Sequence, residues 1–141
     1  MRTAGVRIGA GLLLALAACS GIAPKPITPS YDDIEQAITG SGLLICASSV
    51  EGEGLAAGAI DARVFEVSAN CETTPPSQVV VDRFADMTDR DAAADEFRVL
   101  SRPRGSGAVW TYGTFTIFAH GSTGHEAMRR LVDAMAGLGA T

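Results

Sequence analysis

Basic residues are scarce in this 141-residue sequence, which has 11 Lys and Arg against 16 Asp and Glu and a net charge of −5. Domains that bind nucleic acid present a basic patch, and this sequence has no comparable excess of positive charge. The same deficit disfavours a domain that lies flat on anionic lipid. We therefore expect no nucleic acid among the partners, and any membrane attachment must come from another feature.

Motifs that assemble a reaction centre are also missing. The sequence contains no Gly-x-x-x-x-Gly-Lys phosphate-binding loop, no His-x-x-x-His pair typical of a helical zinc site and no Cys-x-x-Cys redox motif. No nucleophile with a companion base is evident from the spacing of Ser, Cys and His. We therefore expect a protein that is not an enzyme and that needs no cofactor.

The N-terminal residues have the layout of an export signal. Arg2 and Arg7 supply positive charge, and an uncharged apolar run follows at residues 8–18. That run is shorter than the roughly 20 residues that a membrane-spanning helix needs. It ends in Leu16-Ala17-Ala18-Cys19, in which small residues precede a cysteine. This order of features resembles the lipobox of bacterial lipoproteins.

The resemblance implies how the chain is anchored and where it resides. It implies that Cys19 carries a thioether-linked diacylglycerol, that cleavage occurs before Cys19 and that the new amino group is acylated. Two or more acyl chains suffice for stable membrane attachment. The expected location is the outer face of the cytoplasmic membrane, or the outer membrane in a bacterium with two membranes.

We therefore divide the chain into three parts. Residues 1–18 are the signal peptide, 19–30 are the lipidated cysteine with a Pro-rich tether, and 31–141 form a single domain. Removal of the signal takes away two basic residues and no acidic ones, so the mature chain has a charge of −7.

Cys46 and Cys71 are the cysteines that remain once Cys19 carries lipid. An exported compartment permits disulfides, and two thiols allow a single pairing. A redox or metal pair is the alternative, but the spacing is not Cys-x-x-Cys and no histidine lies nearby in the sequence. We predict a structural Cys46–Cys71 disulfide.

Capping residues and apolar periodicity predict three helices and five strands in the order α-β-β-β-α-β-β-α. Ser30, Thr88 and Thr123 each precede an acid by three residues, which is typical of a helix N-terminus. The predicted helices cover 31–39, 89–99 and 124–138, and the predicted strands cover 43–48, 62–69, 79–84, 108–111 and 114–119. This order favours an α+β two-layer sandwich, loosely ferredoxin-like, with a mostly antiparallel sheet of about five strands and helices packed on one face.

The last two strands are predicted to form a hairpin. A two-residue Tyr112-Gly113 loop would place Trp110 opposite Phe115. Trp110 would then share one face with Phe115, Ile117 and Ala119, and that face would be the buried one.

The best candidate for chemistry is the segment that leaves the last strand and opens the last helix. It carries His120, His125 and Glu126, which as a set could ligate zinc or copper, and glycine amides that could hold an anion. The simpler interpretation is that Gly121 and Gly124 turn the chain while Thr123 and Glu126 cap the helix. The metal or anion site is therefore the alternative hypothesis. The first hypothesis is a lipid-anchored domain that binds a protein partner or a small ligand at the cell surface.

Overall fold

The computed structural model describes residues 28–101, 107–120 and 125–141, with only the main chain of His125. Residues 1–27, including Cys19 and the predicted lipobox, lie outside this description, as does Thr123. The predicted order of helices and strands is the observed one, and their bounds are α1 Tyr31–Gly40, β1 Leu44–Glu51, β2 Ala59–Ser68, β3 Ser77–Phe84, α2 Met87–Ser101, β4 Gly107–Tyr112, β5 Phe115–His120 and α3 His125–Leu138.

The five strands form one antiparallel sheet in the order β1-β2-β3-β5-β4. The first three strands follow one another as a meander, after which α2 carries the chain to the edge strand β4. The β4–β5 hairpin then returns β5 to the side of β3. The prediction of an α+β fold with an antiparallel sheet of about five strands is thus confirmed. The fold shares this class with ferredoxin-like folds, but it does not share their order of strands.

Helices α1 and α3 cover one face of the sheet and enclose the main core. Ile34 and Ile38 from α1 and Leu131 and Met135 from α3 are fully buried. They pack with apolar residues that alternate along the strands, namely Phe65, Val67, Val79, Val81, Phe115, Ile117 and Ala119. The alternation follows from the two-residue period of a strand.

Helix α2 lies on the other face, where it packs against β3, β4 and β5. Phe97 of α2 stacks on Phe118, with ring centroids 4.9 Å apart, and Phe118 alternates with the core residues Ile117 and Ala119. The placement of helices on one face thus holds for α1 and α3, while α2 adds a partial third layer. Ala93 and Ala94 are its buried residues, and these small side chains give a weaker apolar stripe than those of the other two helices.

Acidic and hydroxyl side chains cap the first two helices in different ways. The predicted capping box at α1 is present: Asp33 N donates to Ser30 Oγ at 3.3 Å, and Ser30 N donates to Asp33 Oδ2 at 2.8 Å. The predicted Thr88 cap is wrong, because α2 begins at Met87, two residues before its predicted start. Asp86 Oδ1 instead accepts from Thr88 N and Asp89 N at 2.8 and 3.0 Å.

The β4–β5 hairpin is displaced by one residue from its predicted turn. Tyr112 pairs with Phe115 and Trp110 pairs with Ile117, so the loop consists of Gly113 and Thr114 rather than Tyr112 and Gly113. Gly113 has φ +55°, and a Cβ there would lie 2.4 Å from Pro29 Cγ, so glycine is required at this position. The predicted faces of the two strands are nevertheless correct. The partner of Trp110 changes from Phe115 to Ile117, a shift of two residues, and residues two apart on a strand share a face.

The predicted disulfide between Cys46 and Cys71 is present, with Cα atoms 5.5 Å apart. Cys46 lies at an irregularity of β1: Ile45 pairs with Val67 and Ala47 pairs with Glu66, so Cys46 is the extra residue of a bulge. A bulge re-aims the side chain of the extra residue. The bond ties the edge strand β1 to the turn that follows β2.

Within the residues that the structure describes, no helix is long and apolar enough to cross a membrane.

Candidate ligand-binding site

The predicted His120, His125 and Glu126 cluster is only partly visible. His120 is exposed at the end of β5, with its ring centroid 5.9 Å from that of Phe118. The side chain of His125 lies outside the described residues. Both carboxylate oxygens of Glu126 accept hydrogen bonds, one from Arg129 and one from Arg130 Nε at 2.9 Å. Metal or anion binding here stays a prediction, and over the ranges described above no three His, Cys, Asp or Glu side chains are grouped to hold a metal ion.

A polar network joins the start of α1 to the sheet. Tyr31 Oη donates to Asp61 Oδ1 at 2.6 Å, and Arg83 Nε donates to the same oxygen at 3.0 Å while Arg83 Nη2 donates to Asp61 Oδ2. Asp61 and Arg83 are cross-strand partners on β2 and β3. The hydrogen bonds from Arg83 hold the pKa of Asp61 below its usual range, while burial and Asp61 raise the pKa of Tyr31.

The network forms one wall of a cavity of about 650 Å³, the Tyr31 cleft, which also contacts Val50 and Ile60. The Arg63 guanidinium lies 4.6 Å from the Tyr31 ring centroid and 3.7 Å from Asp32. Each carboxylate oxygen of Asp61 already accepts from Tyr31 or Arg83. The polar network at this cleft is therefore best explained as structural, because its hydrogen bonds hold the start of α1 on the sheet.

We expect Asp61→Asn to lower the free energy of unfolding by about 1 kcal/mol at pH 7, since charge-assisted hydrogen bonds are lost at a partly exposed site. Because the pKa of Asp61 is lowered in the folded state, its contribution is present above the unfolded value of about 3.9 and is lost as pH falls through the folded pKa. Urea unfolding of both proteins between pH 2 and 7 measures this. Asp95→Asn, which removes an exposed ion pair with Arg98, is the control and should have a smaller effect. A cost for Asp61→Asn that does not change with pH would contradict the assignment.

Asp82 is the one acid on the described strands whose side chain is almost completely buried, at 1% exposure. Its Oδ1 accepts from the amides of Leu55 and Ala56 at 2.7 and 3.2 Å, so it holds the loop between β1 and β2 on the sheet. Among the described residues, neither Asp82 Oδ2 nor the hydroxyl of Thr116, its partner on β5, has a hydrogen-bond partner. Burial raises the pKa of Asp82 although the two amides oppose the rise.

The raised pKa of Asp82 predicts a pH dependence opposite to that of Asp61. A carboxyl whose pKa is higher in the folded state than in the unfolded state stabilises the folded protein most at pH values below its unfolded pKa of about 3.9. This contribution is lost as pH rises through the folded pKa. We expect the free energy of unfolding of Asp82→Asn, relative to the parent protein, to increase from pH 4 to pH 7. Urea unfolding at several pH values tests this, and a difference that shrinks over this range would refute it.

A second cavity, the α1–α3 groove, runs along the solvent side of these two helices and has a volume of about 700 Å³. The helices run in opposite directions: Gly42, just after α1, accepts from Arg130 near the start of α3 at 2.9 Å. The lining includes the apolar side chains of Ala37, Ala134 and Leu138, the ring of Tyr112 and the carboxylates of Asp33 and Asp133. The groove is largely open to solvent, and its mostly apolar lining with a few polar groups is the composition found in small-ligand sites.

The groove is acidic, since Asp33 and Asp133 line it and no Lys or Arg does so among the described residues. Burial raises the pKa of Tyr112, and the negative charge of Asp33 adds to the rise, so the phenol stays neutral. Asp33 accepts from Ser30, whereas Asp133 is exposed.

Gly40 and Gly137 line the groove, and neither the packing nor the backbone conformation of the fold requires glycine there. A Cβ added at Gly40 or Gly137 would meet nothing within 4 Å, and neither residue has a positive φ. Glycine in a helix costs up to about 1 kcal/mol relative to alanine, less in the last turn. Packing and backbone geometry therefore do not require glycine at either position.

Neither cavity is readily predicted from the sequence. Tyr31, Asp61 and Arg83 are far apart along the chain, and only the observed strand register brings Asp61 and Arg83 together. The groove depends on the lateral packing of α1 against α3, which sequence periodicity does not specify. The cross-strand pairing of an acid with an arginine was the available signal for the network.

Comparison of the chain with protein-family models, with curated proteins and with solved structures found no match. The assignment of function therefore depends on the residues and geometry given above.

Proposed function

We propose that this protein is an exported lipoprotein, anchored to the membrane through Cys19, whose domain binds a small ligand at the cell surface without catalysing a reaction. The export signal and the Leu16-Ala17-Ala18-Cys19 sequence support the anchoring. The Cys46–Cys71 bond is consistent with this location, because disulfides persist in oxidising compartments.

The observation that carries the binding function is the α1–α3 groove with its two uncrowded glycines. The groove combines a mostly apolar lining with a few polar groups. The sequence left a protein partner open as well as a small ligand. We favour a small ligand, because the groove volume of about 700 Å³ lies in the range of small-molecule sites.

The anchor is tested by the intact mass of the protein purified from its native membrane, measured before and after reduction and alkylation. We expect a chain that starts at Cys19 and carries lipid, with Cys46 and Cys71 alkylated only after reduction. A chain without lipid would overturn the membrane anchor and leave the groove proposal standing.

The ligand function is tested by native mass spectrometry of the same preparation. We expect a bound small molecule on the parent protein that is absent from Gly137→Leu, because a leucine there would fill the groove. Gly52→Leu is the matched control: a Cβ at Gly52 also meets nothing within 4 Å, but Gly52 lies outside the groove. Equal occupancy of the parent protein and Gly137→Leu would overturn the site.

The metal or anion hypothesis for His120, His125 and Glu126 has a separate test. A metal analysis of untagged protein, with melting curves in zinc, copper and phosphate, should show stoichiometric metal or a shift if the hypothesis holds. The ion pairs of Glu126 with Arg129 and Arg130 favour the ligand-binding proposal over this one.

A further inference from the structure

The chemistry of the α1–α3 groove limits the kind of molecule it accepts. The two carboxylates on its walls come from different helices, Asp33 from α1 and Asp133 from α3, so both sides of the groove are negative. No lining residue among those described supplies a compensating positive charge. An anion in this position would face two like charges, and a cation would face two opposite ones.

The aromatic residue in the lining of the groove adds a second preference. Tyr112 lines the cavity together with Asp33, and its ring is only partly buried. Aromatic faces attract ammonium and guanidinium groups, and the attraction increases when the cation is partly desolvated. A carboxylate and a phenol ring in one cavity therefore favour a positively charged group over a neutral one.

Apart from two polar side chains, Gln36 and Ser41, the remainder of the lining consists of alanine, leucine and glycine. Ala37, Ala134 and Leu138 offer hydrocarbon, and the absence of side chains at Gly40 and Gly137 lets a ligand approach the helix backbones. Apolar contact supplies much of the binding free energy of small ligands, while a few polar groups set orientation. A charged group alone would leave this surface unused.

We infer that the α1–α3 groove binds a small molecule that carries an ammonium or guanidinium group on an apolar body. This inference rests on the proposed ligand-binding function and names the class of ligand. The charged group lies between Asp33, Asp133 and Tyr112, and the apolar body lies along Ala37 and Ala134 toward the two glycines.

Three probes with one skeleton and different charges test the inference: 2-phenylethylamine, 2-phenylethanol and 3-phenylpropionate. Each is titrated into the full lipid-anchored protein in nanodiscs of neutral phosphocholine lipid, with empty nanodiscs as the blank. Binding is followed by amide chemical shifts of isotope-labelled protein. We expect the amine to bind most tightly, with shifts concentrated at the facing residues of α1 and α3.

Two variants separate charge from shape. Asp133→Asn should weaken binding of the amine by roughly two- to fivefold and leave the alcohol unchanged, as expected for one exposed charge. Asp133 is preferred to Asp33 for this change because Asp33 also caps α1. Gly137→Leu should abolish binding of all three probes, and Gly52→Leu should not.

The outcomes distinguish this inference from the function on which it rests. If the alcohol or the propionate binds as tightly as the amine and Gly137→Leu still blocks it, the groove is a ligand site and the inferred positive charge is wrong. If the amine causes no shift at α1 and α3, or binds equally well to Gly137→Leu, the inference is overturned. Loss of the native ligand in Gly137→Leu would even then uphold the proposed function.

Discussion

Replacing Cys46 and Cys71 together by serine is expected to lower the free energy of unfolding by about 3.5 kcal/mol. The expectation comes from loop closure: the bond joins residues that are 25 apart in the sequence and so restricts the unfolded chain. The loss is a large share of the roughly 5–15 kcal/mol that stabilises a typical domain. Urea unfolding of the parent and the double variant, with slopes compared as well as midpoints, measures it.

The reduced parent protein is the natural control for the serine variant. Because serine is close to cysteine in size, the reduced parent and the double variant should unfold at similar urea concentrations. Equal stability of the oxidised parent and the double variant would show that the bond contributes nothing. A lower slope in the oxidised parent would reflect the smaller surface exposed when a cross-linked chain unfolds.

Phe65→Ala is expected to lower the free energy of unfolding by about 3–5 kcal/mol. Phe65 lies on β2, is 1% exposed and belongs to the core beneath α1 and α3. Its removal takes away a large apolar side chain and leaves a cavity that the surrounding strands fill only partly. Chemical unfolding monitored by circular dichroism gives the value directly.

Phe97→Ala provides the matched comparison on the other face of the sheet. Phe97 stacks on Phe118 but is only partly buried, so its removal opens space to solvent rather than an enclosed cavity. We expect it to cost less than half as much as Phe65→Ala. Equal costs would show that α2 covers a second core as tightly packed as the first.

Local patterns in the sequence predicted the sheet and its buried face well. Phe115, Ile117 and Ala119 lie at every second position of β5, and the two-residue period of a strand places them on one face. The cap at Ser30 was likewise predictable, because the contact with Asp33 spans three residues. The Cys46–Cys71 pairing followed from the count of available thiols.

Features decided by competition between neighbours were predicted less well. Asp86 and Thr88 are both good N-cap residues, and the sequence does not say which one binds the free amides. The β4–β5 turn is displaced by one residue, so that Gly113, with φ +55°, is its first residue and lies beside Pro29, which is distant in the chain. The side on which α2 packs depends on the path of the chain from β3 to β4, which short-range patterns do not contain.

The candidate site was the least predictable part. His120 and Glu126 were selected from the sequence, because their residue types are common in metal and anion sites. The α1–α3 groove, in contrast, depends on the absence of side chains at Gly40 and Gly137, which no sequence motif indicates. Asp133 is an ordinary exposed acid by its pattern, and only the packing of α3 beside α1 places it in one groove with Asp33 and Gln36. Such a juxtaposition arises from tertiary packing.

The bulge at Cys46 has a consequence for the behaviour of the protein among its own copies. β1 is an edge strand, and an edge strand with a regular row of free amides and carbonyls invites a strand of another molecule to pair with it. The extra residue interrupts that row, and the bond to Cys71 keeps the interruption in place. An incoming strand can therefore align with only part of β1, which disfavours aggregation of the protein through the edge of its sheet.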